Sequence, residues 1–232
     1  MLTHKNINYK NATFREPWLN AENQSQHVLG FAPYFHVFGL HVIMNSIILG
    51  CTVVVLEKFD FELHLNCIQK YKITTLALPP PVLQMYAKSP LMEKYDLSHV
   101  EYVLVGGAPL DESLRKAILE RVGIKSICQG YGMTELTLPA TLVPVGLSRP
   151  GTCGKLIPYL TAIVKDLKTG RNLGPNENGE LCFKGDLVMK GYYKNEAATK
   201  ETFTEDGYLK TGDIGHYDEE KFFYVEDRLK EL

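Results

Sequence analysis

Apolar residues in the first 144 positions alternate between short unbroken runs and longer stretches with apolar positions three or four apart. The unbroken runs are His27 to Pro33, Cys51 to Leu56, Thr74 to Leu78, Tyr102 to Val105 and Ser126 to Gln129. They predict buried strands, and the β-branched Cys51 to Leu56 reads as one covered on both faces. Gly39 to Leu49, Glu62 to Tyr71 and Val82 to Lys88 predict helices, the second with Leu63, Leu65, Ile68 and Tyr71 near helical spacing. A further helix runs from a capping Asp111 to about Val122. Strand and helix in alternation imply an α/β fold, a mostly parallel sheet flanked by helices.

After Pro144 the pattern changes. Gly and Pro punctuate it densely at Arg149-Pro150-Gly151, Ile157-Pro158, Gly174-Pro175 and Asn178-Gly179. Short strands fall between, at Ala162 to Asp166, Glu180 to Lys184 and Phe222 to Val225, with a short helix at Glu196 to Thr202. This predicts a smaller β-rich distorted-barrel subdomain. The expected organisation is therefore an α/β subdomain over 1–144, a β-rich subdomain over 145–227 and a hinge remnant at 228–232.

Composition narrows the function classes. The net charge of −2 provides no field favouring nucleic acid or an anionic membrane. No apolar run reaches the roughly 18 residues of a membrane span. Five cysteines, at 51, 67, 128, 153 and 182, contain no CxxC pair. That spacing argues for reduced, mostly core thiols in an intracellular setting and against a disulfide framework or zinc site.

Three loops after predicted strands carry candidate chemistry, and ligands of open α/β sheets bind beyond the carboxyl ends of the strands. In Gly130-Tyr131-Gly132-Met133-Thr134-Glu135, the glycines allow close backbone approach, Tyr131 offers a flat face, Thr134 a hydroxyl and Glu135 an oxygen suited to a hard cation. Gly106-Gly107-Ala108-Pro109 exposes bare peptide against which adenine fits, and an ordinary strand-to-helix turn reads the same way. His36, between Phe35 and Phe38, is placed either to orient or deprotonate a carboxylate or to sit as a core histidine bonded to a backbone carbonyl. Asp213, in Thr211-Gly212-Asp213, suits ribose hydroxyls or an Asx-turn. Arg228 belongs to a charge alternation, Asp227-Arg228-Leu229-Lys230, whose plain reading is a solvated end. Arg15 is isolated, with a surface role as its plain reading.

In this order, the motifs closely resemble those of the adenylate-forming (AMP-binding) enzymes, a superfamily containing acyl-CoA synthetases, 4-coumarate–CoA ligases and beetle luciferases. Tyr71-Lys72-Ile73, Lys94-Tyr95-Asp96-Leu97-Ser98, Asn178-Gly179-Glu180-Leu181-Cys182 and Gly191-Tyr192 are similar to the insect ligase-like and luciferase branch. The resemblance implies activation of a fatty or aryl carboxylic acid by ATP, with AMP and pyrophosphate released, Mg2+ as metal and CoA as co-substrate. It further implies that Gly106, Gly107, Ala108 and Pro109 lie along adenine, with Gly130, Tyr131 and Gly132 completing the nucleotide loop and Tyr131 stacking on the base. Thr134 would contact the α-phosphate, Glu135 would serve the metal, and Asp213 and Arg228 would hold the ribose. His36 would orient the carboxylate in a pocket bordered by Arg15, Phe35, Phe38 and Leu138.

The same resemblance marks departures. Family members carry a Ser/Thr/Gly-rich phosphate loop before the segment similar to Met1-Leu2-Thr3-His4, and a C-terminal domain with a catalytic lysine beyond the hinge. The expectation is a central piece that adenylates poorly alone, in a peroxisomal or cytoplasmic setting. Luciferases of the branch usually hold a second histidine at the position of Phe35 and a small hydroxyl residue at that of Leu138, which favours a CoA ligase over a luciferin monooxygenase. A non-catalytic nucleotide- or acyl-binding protein is the reading from a different class.

Overall fold

The computed structural model describes residues 1–19, 27–147 and 149–229. Its contacts divide the chain into two units. One, here the α/β unit, comprises Phe14–Gln129 and Pro144–Gly151; the other, the β-rich unit, comprises Met1–Thr13, Gly130–Val143 and Thr152–Leu232. This division differs from the expected boundary at 144, because long-range hydrogen bonds assign segments against their sequence neighbours. Val145 N–H donates to Trp18 O at 3.0 Å, tying 144–151 to the α/β unit. Asn6 Nδ2 donates to the carbonyls of Asp186 (2.7 Å) and Val188 (2.9 Å), tying the first residues to the β-rich unit. Of the expected hinge remnant, residues 230–232 lie outside the described residues.

In the α/β unit, strands β1 (His27–Gly30) and β2 (Thr52–Val55) pair in parallel. Strands β3 (Thr75–Leu78), β4 (Tyr102–Val105) and the first part of β5 (Ser126–Tyr131) form a second parallel ladder. Helices α2 (Val37–Leu49), α3 (Phe61–Tyr71), α4 (Pro80–Lys88) and α5 (Glu112–Val122) alternate with them as the hydrophobic pattern predicts. Their ends follow local chemistry. Asp60 and Asp111 accept first-turn N–H groups of α3 and α5, and α5 stops at Gly123 in the left-handed region. Pro80 opens α4, where the missing N–H leaves no bond unmade. Leu29, Leu65, Ile68, Ile73, Leu76, Leu83, Tyr86, Val103, Ile118 and Ile127 form one continuous core.

The β-rich unit opens with α1 (His4–Thr13), a polar helix that the hydrophobic pattern did not predict. It holds its place through Asn6 and through a 2.7 Å Lys5–Asp186 ion pair rather than through an apolar stripe. Strands β6 (Thr141–Leu142), β7 (Gly154–Leu156), β8 (Leu160–Lys165), β9 (Gly179–Gly185), β10 (Leu209–Tyr217) and β11 (Phe222–Arg228) pair antiparallel in the order β8-β9-β10-β11-β7-β6, and the end of β5 adds beside β6. Val164, Leu181, Phe183, Leu187, Leu209, Phe222 and Phe223 are buried there. Helix α6 (Glu196–Thr202) has the expected bounds and is capped by Asn195. Cys67, Cys128, Cys153 and Cys182 are buried, as core thiols are expected to be. Among the described residues, no helix is long and apolar enough to cross a membrane.

Candidate nucleotide site

The motif at 130–135 is built differently from a free turn. Gly130 and Tyr131 continue strand β5, pairing with Leu142 and Thr141 of β6, and only Thr134–Leu136 turns, as a short 3-10 helix. The glycines are required by this chain's own packing. A Cβ on Gly132 would come within 2.9 Å of Ala140 N and Pro139 Cα, and one on Gly130 within 3.1 Å of Thr141 O. These glycines admit a neighbouring chain segment, where close approach of a ligand was expected.

Tyr131, Asp213 and Arg228 converge. The Tyr131 hydroxyl donates to Asp213 Oδ2 at 2.6 Å, and Arg228 Nε donates to Asp213 Oδ1 at 3.0 Å. Asp213 lies inside β10, directly opposite Arg228 of β11, and not in the short turn that Thr211-Gly212-Asp213 suggested. The strand survives its glycines because both sides are paired, and it accommodates them by register shifts between Lys210 and Ile214 and between Ile214 and Gly215. Thr211 Oγ1 accepts the Asp213 N–H at 3.0 Å, and Glu180 Oε1 accepts the Gly212 N–H at 2.9 Å. Arg228 is likewise a strand residue aimed at a carboxylate, although its side chain is 67% exposed while that of Asp213 is 6% exposed.

Burial, reinforced by the adjacent Asp213 carboxylate, holds the Tyr131 phenol well above its ordinary value, so it remains a donor. Its ring has Phe183 at 6.1 Å between centroids. Each Asp213 oxygen thus accepts one internal bond, and a carboxylate retains further lone pairs for incoming donors.

Glu135 has a partner that sequence reasoning did not assign. The Tyr192 hydroxyl donates to Glu135 Oε1 at 2.9 Å, and Met189 N–H donates to Glu135 O at 2.7 Å. Tyr192 stood out only as part of the family-like Gly191-Tyr192. Tyr192 follows Glu135 by 57 positions, so no local spacing connects the two. Thr134 is exposed at the head of the 3-10 turn, and Leu138 is half-buried just beyond it.

In the α/β unit, His36 is not a core histidine. It is exposed and caps α2, its Nδ1 accepting the Phe38 N–H at 3.1 Å. An Nδ1 used as acceptor puts the proton of neutral imidazole on Nε2, leaving an N–H donor and no free lone pair. In that tautomer the exposed Nε2–H can donate a hydrogen bond, but the ring has no lone pair with which to take up a proton. Phe38 lines a narrow apolar crevice with Gly30, Phe31, Tyr34, Gly39 and Val42. Phe35 does not line that crevice; it is 93% exposed, because it precedes the helix cap on an outward turn. Arg15 is exposed. Gly107, Ala108 and Pro109 are exposed beyond β4, Gly106 less so. Gly107 has φ +90°, and a Cβ there would meet nothing within 4 Å, so its peptide face is open.

Comparison with known proteins adds independent findings. A family model described as AMP-binding enzyme matches residues 1–193. A luciferin 4-monooxygenase of Nipponoluciola cruciata is 43% identical over 232 residues, covering all of this chain and 42% of that protein. A probable 4-coumarate–CoA ligase 1 of Dictyostelium discoideum is 42% identical over 236 residues, again covering all of this chain and 42% of the relative. The chain thus spans less than half the length of these curated relatives. Among solved structures, the luciferase-like enzyme from the nonluminescent mealworm Zophobas morio superposes with a TM-score of 0.86 at 29% identity, over 97% of this chain and 54% of that one. The O-succinylbenzoate coenzyme A synthetase of Bacillus subtilis in complex with ATP and magnesium gives 0.85 at 28% identity, over 100% of this chain and 47% of that one.

Proposed function

Because the chain belongs to the AMP-binding enzyme family, we propose that its protein activates a carboxylic acid with ATP and passes the acyl group to CoA. In the first step a carboxylate oxygen attacks the α-phosphorus of ATP. The bond from that phosphorus to the bridging oxygen breaks, and pyrophosphate leaves. In the second step the sulfur of CoA attacks the acyl carbon, the carbon–oxygen bond to phosphate breaks, AMP leaves, and the thiol proton passes to solvent. The observation that carries the proposal is the Tyr131–Asp213–Arg228 constellation, a buried carboxylate between an aromatic hydroxyl and a guanidinium.

The family resemblance gives each side chain its role in this reading. The Tyr131 ring, held by its own hydroxyl, presents a fixed face to adenine. Asp213 offers its remaining lone pairs to ribose hydroxyls, and the exposed Arg228 adds donors beside it. Gly106, Gly107, Ala108 and Pro109 border the base, with Gly107 contributing open peptide. Thr134 reaches the α-phosphate from the head of its turn. His36 donates Nε2–H to the acid. Phe38, in the apolar crevice of the α/β unit, supplies surface for a fatty or aryl group.

Mg2+ fits this donor set only together with a nucleotide. Among the described residues, no group of three or more His, Cys, Asp or Glu side chains gathers to hold a metal. Glu135 is a single hard carboxylate with one oxygen bonded to Tyr192, and Mg2+ is commonly held by one or two carboxylates plus substrate phosphates. When bound, the ion would neutralise charge on the leaving pyrophosphate.

The CoA-dependent second step is favoured over luciferin oxidation by Leu138, which stands where luciferases of the branch usually hold a small hydroxyl residue; the likeness to the luciferase and to the Dictyostelium ligase is nearly the same and favours neither. The test is acid-dependent ATP–pyrophosphate exchange by the intact native polypeptide across fatty and aryl acids, followed by detection of the CoA thioester. Exchange without thioester, accompanied by light with luciferin and O2, would replace the ligase reading. ATP binding without exchange would leave a binding protein.

A further inference from the structure

Two strips of backbone in the β-rich unit run side by side and are fastened three times. Met189 N–H donates to Glu135 O, the Thr137 hydroxyl donates to Leu187 O at 2.6 Å, and the Tyr192 hydroxyl donates to Glu135 Oε1 at 2.9 Å. The first two bonds fix the main chain. The third is the only one of the three that reaches the carboxylate.

Tyr192 is itself braced. Its N–H donates to Thr199 Oγ1 at 2.9 Å, and that hydroxyl donates to Asn195 O at 2.7 Å, so the first turn of α6 holds the Tyr192 main chain. A Cβ at Gly191 would come within 2.7 Å of Thr199 Cγ2, which closes the bend that aims the ring. A hydroxyl on Oε1 selects one carboxylate rotamer and leaves Oε2 as the oxygen for a cation. Partners of this kind set the orientation of ligating carboxylates.

We propose that Tyr192 is a positioning residue for Glu135, fixing the carboxylate so that Oε2 meets the divalent cation carried by bound ATP. The inference rests on the nucleotide reading given under Proposed function.

The test titrates the full chain with ATP calorimetrically, once in excess Mn2+ and once in EDTA. Tyr192→Phe is expected to weaken Mn2+·ATP binding by about tenfold, to leave metal-free ATP binding unchanged, and to have no further effect in a Glu135→Gln background. Equal weakening of both titrations, or of neither, would overturn the proposal while leaving the nucleotide site standing. A wild-type chain that binds neither form would overturn the nucleotide reading and the positioning role together. Should Tyr192→Phe fold poorly, Thr199→Val replaces it, removing the hydroxyl that holds the Tyr192 main chain: selective weakening of Mn2+·ATP binding is expected, and equal weakening of both titrations, or of neither, would sink the inference.

Discussion

Tyr131 donates a 2.6 Å hydrogen bond to Asp213 across 82 positions of sequence. The bond joins the end of β5 to the middle of β10 and satisfies one oxygen of a carboxylate that is almost wholly out of water. The other oxygen is met by Arg228, whose side chain is largely solvated. The two contacts therefore differ in energetic weight.

Tyr131→Phe should destabilise the protein by roughly 1–3 kcal/mol, since a buried carboxylate oxygen loses its donor. Arg228→Ala should lower stability by less than about 1 kcal/mol, because an exposed guanidinium is well screened. Urea denaturation of the two variants checks the ranking. A larger loss for Arg228→Ala would mean that the guanidinium, not the phenol, holds Asp213.

His36 combines a structural bond with the proposed chemistry, and substitution separates them. Asn also caps helices well, so His36→Asn should keep the denaturation midpoint while acid-dependent exchange falls. His36→Ala should lose the exchange and also about 1 kcal/mol of stability. Retained exchange in His36→Asn would remove the imidazole from the reaction.

The two kinds of glycine predict opposite signatures. Gly132→Ala pushes a methyl to 2.9 Å from the Pro139–Ala140 backbone and should destabilise by about 1–3 kcal/mol. Gly107→Ala meets no neighbour; beyond the strain of φ +90°, its methyl projects into the space assigned to adenine. AMP affinity, measured by equilibrium binding at a temperature where both variants are folded, should fall for Gly107→Ala. Unchanged affinity would take Gly107 out of the base site.

Stability should fall on mild acidification through His64. This imidazole packs among Phe31, Phe59 and Tyr86, with Tyr86 Oη at 2.7 Å, and burial pushes it down from 6.5 to about 4. Between those values the unfolded chain binds the proton and the folded one does not. Stability is therefore complete above about pH 6.5 and is lost as pH falls toward 4, by roughly 3 kcal/mol from this residue. Urea midpoints at pH 7 and pH 5 should differ in the wild type and differ less in His64→Leu/Tyr86→Phe. An equal pH effect in both would place the acid sensitivity elsewhere.

The chain's local grammar carried much of the architecture. The unbroken β-branched run Thr52–Val55 forms the strand it predicts, but not one covered on both faces: Thr52 and Val55 are exposed and Val53 and Val54 half-buried, at the edge of a two-stranded ladder. Asp111 caps the helix it precedes, and Glu196–Thr202 is bounded by its own cap, because caps, periodicity and turn residues act within a few positions. The family-like order of Gly130 to Glu135, Asp213 and Arg228 was likewise legible, and it singled out Tyr131, Asp213 and Arg228, which hydrogen bonds join within the β-rich unit.

What only the tertiary structure decided lies where partners are distant. Helix α1 has no apolar stripe to announce it and depends on Asn6 meeting carbonyls 180 and 182 residues away. Strand β10 contains Gly212 and Gly215, poor strand residues taken alone, and persists because β9 and β11 pair with it. The bonds of Tyr131 to Asp213 and of Tyr192 to Glu135 follow from how strands and loops are folded onto one another. A sequence lists the donors and acceptors, but which donor meets which carboxylate is set by the packing of segments that are remote along the chain.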